Sequence, residues 1–172
     1  MEQTGTEQTC ECGENTDAAG GRFSAQSTVT CPDCGRERRL CGDCTAQREY
    51  RLGYAKYVEG RRRLTVGLDR YAGQRWTDAR AHIEAAADQF QTAVEHFTTA
   101  VGRVRRDSVA EPCEQARKKA TCFWQATELL SGATFAREQS LHRLAEQFRR
   151  DGRKRLQAGT DYGTLADPSA LG

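Results

Sequence analysis

Histidine, proline, tryptophan and methionine are all scarce in this chain of 172 residues, and each scarcity excludes something. The three prolines, Pro32, Pro112 and Pro168, lie far apart and leave long stretches that helices can occupy without a break. No run approaches the roughly 20 apolar residues of a membrane-spanning helix. The N-terminus, Met1-Glu2-Gln3-Thr4, has neither the basic start nor the apolar stretch of a secretory leader, so a cytoplasmic protein with no membrane partner is expected. A phosphate-cradling P-loop, a dinucleotide glycine fingerprint, a nucleophile elbow and an H-E-x-x-H motif are all missing. His82, His96 and His142 fall at polar positions far from one another, which suits surface or edge histidines better than a catalytic set. The expectation is therefore a protein that is not an enzyme.

Apolar residues make up 37% and charged residues 29%, the balance of amphipathic helices with solvated outer faces, and no long buried strands are expected. Net charge is only +2, yet the charges are segregated. Glu2, Glu7, Glu11, Glu14 and Asp17 share the first twenty residues with no base, whereas bases outnumber acids between Arg36 and Arg75 and again between Arg137 and Arg155. Such segregation points to an anionic partner. An arginine-rich genome would produce the same excess with no partner at all.

Six of the eight cysteines lie in the first 44 residues, as Cys10-Glu11-Cys12-Gly13, Cys31-Pro32-Asp33-Cys34-Gly35 and Cys41-Gly42-Asp43-Cys44. Thiolates this close together can chelate one Zn²⁺ from a tight turn, and in a chain without an export signal zinc is the expected use. The set Cys10, Cys12, Cys31, Cys34, Cys41 and Cys44 amounts to one or two sites. Cys10/Cys12 with Cys31/Cys34 resembles a zinc ribbon, in which Arg22 to Thr30 would supply a strand. The closely spaced pairs ending in Leu40-Cys41-Gly42-Asp43-Cys44 are similar to the cross-brace fingers of the ZZ and B-box families. That resemblance implies Cys10/Cys12 with Cys41/Cys44, and a compact site of Cys31, Cys34, Cys41 and Cys44 is the third arrangement. A segment this short buries too little to fold alone, so metal binding and folding should be one event.

From Ala46 onward the pattern becomes helical. Ala46, Gly53, Gly60 and Gly67 form one heptad line and Tyr50, Tyr57, Leu64 and Tyr71 its neighbour. The repeat resumes at Trp76, with Ala79, Ala86, Ala93 and Ala100 beside Trp76, Ile83, Phe90, Phe97 and Val104. If the chain reverses at Ala72-Gly73-Gln74-Arg75, antiparallel steps pair Tyr50 with Phe97, Tyr57 with Phe90, Leu64 with Ile83 and Tyr71 with Trp76. The same steps set the glycine line against the alanine line, Gly60 opposite Ala86. Glycine costs a helix interior about 1 kcal/mol relative to alanine, and close approach of two backbones would justify it.

A second hairpin is expected to begin at a cap on Asp107 or Ser108, with Ala116, Ala120, Phe123, Thr127, Leu130 and Thr134 inward. Its return helix would be capped by Ser140, turn Leu141, Leu144, Ala145, Phe148 and Leu156 inward, and end at Gly159. Cys113 and Cys122, nine residues apart, would face opposite sides of one helix. The spacing of Gly67, Trp76, Ala79, Ile83 and Ala86 resembles a tetratricopeptide unit, but no second copy follows.

The expected architecture is an all-α bundle of antiparallel helical hairpins with a small N-terminal zinc-binding module. A short acidic N-terminus (1–9) precedes the module (10–44), a four-helix bundle (45–158) follows, and 159–172 form a flexible tail. Once the first hairpin closes, Arg103, Arg105 and Arg106 return to the end that carries Arg36, Arg38 and Arg39. Two functions fit a basic end beside a zinc module. It docks an adaptor on a protein or nucleoprotein complex, or it grips nucleic-acid phosphates directly. The narrow seams could also pair between chains, giving a homodimer.

Overall fold

The computed structural model describes residues 28–30, 37–39 and 42–171. Thr28–Thr30 (β1) and Glu37–Arg39 (β2) pair antiparallel, Val29 opposite Arg38. Cys31 to Arg36 join them and, like residues 1–27, lie outside the described residues. Four helices follow: α1 (Gly42–Ala72), α2 (Trp76–Arg103), α3 (Asp107–Glu138) and α4 (His142–Asp161), and a 3₁₀ turn at Pro168–Leu171 comes last. Among the described residues no helix is long and apolar enough to cross a membrane.

The first seam forms in the expected register. Ring centroids stand 5.3 Å apart for Tyr50 and Phe97, 5.6 Å for Tyr57 and Phe90, and 4.9 Å for Tyr71 and Trp76. Ala46, Ala79, Ala86, Ala93 and Ala100 are completely buried. The glycines serve a different neighbour from the one expected. A Cβ on Gly60 would come within 2.9 Å of the Phe90 ring, one on Gly53 within 2.8 Å of Phe97, and one on Gly67 within 2.6 Å of Ile83. Helical side chains lean toward their own N-terminus, so in an antiparallel pair a large residue lands about one turn beyond the residue level with its backbone. The glycines are seats for those side chains.

The second hairpin repeats the first. In both turns the helix end is followed by three residues of which the middle one is left-handed, Gln74 (φ 59°) and Ser140 (φ 59°). The closing hydrogen bonds match as well: Arg75 N–H to the Arg70 carbonyl at 2.9 Å, and Leu141 N–H to Ala136 at 2.8 Å. Ser140 is therefore a turn residue and caps nothing. Gly159 does not end α4; it is buried within the helix, where a Cβ would meet Phe123 at 2.7 Å, and Gly152 likewise seats Leu130. Leu141 and Leu144, expected inward, are 50% and 40% exposed, because the buried line of α4 is Ala145, Gly152 and Gly159.

α1 packs on α2, α2 on α3 and α3 on α4, but α4 makes no extended contact with α1. The array is open. Phe123 joins α3 to the first hairpin, 5.4 Å from Tyr57 and 5.3 Å from Phe90. Beyond α4 the chain does not trail away as a tail. Leu165, Ala166 and Leu171 pack against the core, and the final 3₁₀ turn lies on α1. Gly163, left-handed at φ 73°, turns the chain just past the end of α4 at Asp161, and the two leucines that follow cover apolar surface of the core.

Candidate partner-binding end

The starts of α1 and α3 and the end of α2 meet at one place, organised by Asp43. This carboxylate is 1% exposed. Its Oδ1 accepts the backbone N–H of Arg105 at 2.7 Å and of Arg106 at 3.2 Å, and Oδ2 lies 3.2 Å from Arg106 Nε in an ion pair without hydrogen-bond alignment. α3 has no side-chain cap, from Asp107, Ser108 or the Arg106 that occupies the cap position; instead Asp43 of α1 holds the two amides that lead into the helix. One acid thus sits where the positive ends of two helix dipoles converge. Beside it, a Cβ on Gly42 would come within 2.5 Å of the Arg103 carbonyl oxygen, so glycine is what lets α2 end against the first turn of α1. A Gly-Asp pair between two cysteines was the only sequence signal, and it reads equally well as part of a metal-binding turn.

The result is that Arg103, Arg105 and Arg106 stand at the turn of α1 that carries Cys44. Arg105 is exposed, Arg103 and Arg106 half-buried. Arg38 and Arg39 lie on β2, where only the backbone is described, and Arg36 lies outside the described residues. Of the six candidate zinc ligands, Cys44 sits half-buried on α1; Cys10, Cys12, Cys31, Cys34 and Cys41 lie outside the described residues. Among the described residues no three histidine, cysteine or acidic side chains cluster in a way that could hold a metal ion.

Cys113 also faces this end and is completely buried. Burial, and secondarily the Asp43 carboxylate, pushes its thiol up to about 11, which leaves it protonated and a poor nucleophile near neutrality. His96 does have an acidic neighbour, contrary to expectation: Glu49 Oε2 lies 2.7 Å from Nδ1, a pair that stitches α1 to α2 at the seam's edge. Trp124 packs against the core, and Phe123 is part of it. Comparison with models of known families, with curated proteins and with solved structures finds no match.

Proposed function

We propose that this protein is a non-catalytic, zinc-binding helical adaptor that docks on a protein or nucleoprotein partner through its basic end. The observation that carries this reading is the Asp43 clamp. It fastens the α2–α3 connection, with Arg103, Arg105 and Arg106, to the turn bearing Cys44, so these three bases stand where the cysteine-rich segment joins the helices. The zinc assignment is supported by six thiols at chelating spacing. It is also supported by the β1–β2 ribbon, whose connection contains Cys31 and Cys34. A negatively charged ligand set beside a helix N-terminus is electrostatically favoured. Freshly purified chain should carry one or two zinc ions, and elemental analysis finding none would remove the metal from the proposal.

The docking reading is tested by Arg103→Glu with Arg105→Glu. Arg106 is left in place, because a glutamate there would face the buried Asp43 carboxylate and unfold the clamp. Purification from the native source, with and without nuclease, should recover a partner with the unaltered chain and lose it with the variant, while helix content stays unchanged. Recovery by both chains would make these arginines a solvated face. Salt then assigns the partner's class. A grip on six or more phosphates loses roughly 10³ in affinity between 50 and 200 mM salt, and a loss that steep would replace protein docking with direct nucleic-acid binding.

A further inference from the structure

Because α4 stops at Asp161, a slot is left between α1 and α3 at the clamp end, and the C-terminal segment fills it. The chain turns at Gly163 (φ 73°) and runs back to α1. Its main chain is then received by three side chains from two helices. Lys119 Nζ donates to the Gly163 carbonyl, Tyr50 Oη to that of Ala166 at 2.9 Å, and Gln47 Nε2 to that of Leu171. Tyr50 and Lys119 are 0% and 4% exposed, so these donors are built into the slot. Leu165 and Ala166 are half-buried and Leu171 is 7% exposed; Asp167 is spent within the segment, accepting the Ser169 N–H at 2.8 Å. The slot therefore reads main-chain carbonyls, with a leucine near each end of the segment.

We propose that this slot is an exchange site, in which residues 162–171 of a second copy replace the chain's own and join two chains by reciprocal segments. Apart from the Lys119 bond to Gly163, which lies in the connection itself, the bonds made within one chain are reproduced by identical atoms between two, so exchange sacrifices little. The connection that must swing out, Tyr162 to Thr164, is exposed and holds a glycine in left-handed conformation, and α4 is not pinned to α1. What opposes exchange is the effective concentration of a tethered segment, on the order of millimolar for a short link. Exchange accordingly rises as the chain approaches that concentration, or when its own segment is loosened.

The test uses the full chain and a fluorescent peptide of residues 162–172. The variant Leu165→Asp with Leu171→Asp loosens the resident segment and should bind the peptide at least tenfold more tightly than the unaltered chain. Adding Gln47→Ala and Tyr50→Phe should abolish that gain. A loosened variant that keeps its helix content and shows no gain overturns the proposal. A second measurement follows exchange between whole chains. Heavy-nitrogen-labelled and unlabelled chains are mixed at about millimolar concentration, diluted and read at once by native mass spectrometry. Dimers of mixed isotope are expected from the unaltered chain and none from Leu165→Asp with Leu171→Asp, whose segment fits neither slot. If no mixed dimer forms, or the variant forms it as readily, the segment stays in its own chain and the second-copy occupant is wrong, even where the free peptide binds.

Discussion

The two hairpins share one turn and one packing rule but distribute the glycines differently. In the first, Gly53, Gly60 and Gly67 belong to the outgoing helix and receive side chains from the return helix; in the second the exchange is mutual, with Gly152 and Gly159 of the return helix receiving Leu130 and Phe123 while Gly132 of the outgoing helix receives Phe148. What the geometry demands is a small residue wherever a large side chain leans across the seam, and either helix can supply it. The hairpins differ in support. Phe90 is enclosed by Tyr57 and Phe123 from two other helices, whereas α4 rests on α3 alone and ends early.

That difference should be measurable. Gly60→Leu improves helix propensity yet drives into an enclosed ring, and it should cost about 3 kcal/mol or more. Gly152→Leu should cost less, about 1–2 kcal/mol, because α4 can slide away from Leu130. Denaturant midpoints read both, and equal losses would mean the two hairpins are equally confined. A smaller effect tests whether the second hairpin is rooted against the first at Asp43. The Cys113 thiol is raised to about 11 in the folded chain, while a free thiol loses its proton near 8.5. The native state therefore holds this proton longer, so its contribution is intact below about pH 8.5 and declines from there toward 11. Stability should fall by about 1 kcal/mol by pH 9.5, and Cys113→Ala should lack that early part of the decline. Tyr50 and Tyr57, also raised chiefly by burial, extend the fall to higher pH in both chains. An unchanged profile in the variant would place Cys113 in a wetter site. Smallest of all, Leu144→Gln should change stability by less than about 0.5 kcal/mol, since its side chain is 40% exposed and stands off the buried line of α4; a larger loss would put it back inside.

The first hairpin was legible because both of its helices repeat every seven residues, so one assumed turn fixes every pair along the seam. Tyr50, Tyr57 and Tyr71 met the partners their spacing assigned. The second was half-legible. Ala116, Ala120, Phe123, Thr127, Leu130 and Thr134 are all buried as expected, and in α4 Leu156 packs against the core and Phe148 against Gly132, but Leu141 and Leu144 mislead, and the fully buried line is made of the smallest residues. Gly159 illustrates the ambiguity: a glycine near a helix end reads as a stop, and here it seats a ring. Of the candidate site, the return of Arg103, Arg105 and Arg106 to the Cys44 end followed from the hairpin alone. The means of holding them there did not, because Asp43 sits among cysteines and acts on amides more than sixty residues away.

By itself, then, the sequence determined where helices run, how α1 and α2 register, and that six cysteines stand ahead of them, since each of these is written as a local repeat or spacing. The tertiary structure alone decided that the array stays open, that α4 faces inward through Ala145, Gly152 and Gly159, that Asp43 holds the amides leading into a helix it does not belong to, and that the C-terminal segment is bound. Those outcomes rest on single contacts between distant segments, with no repeated pattern to name the partner, and they exist only once packing has brought the segments within reach.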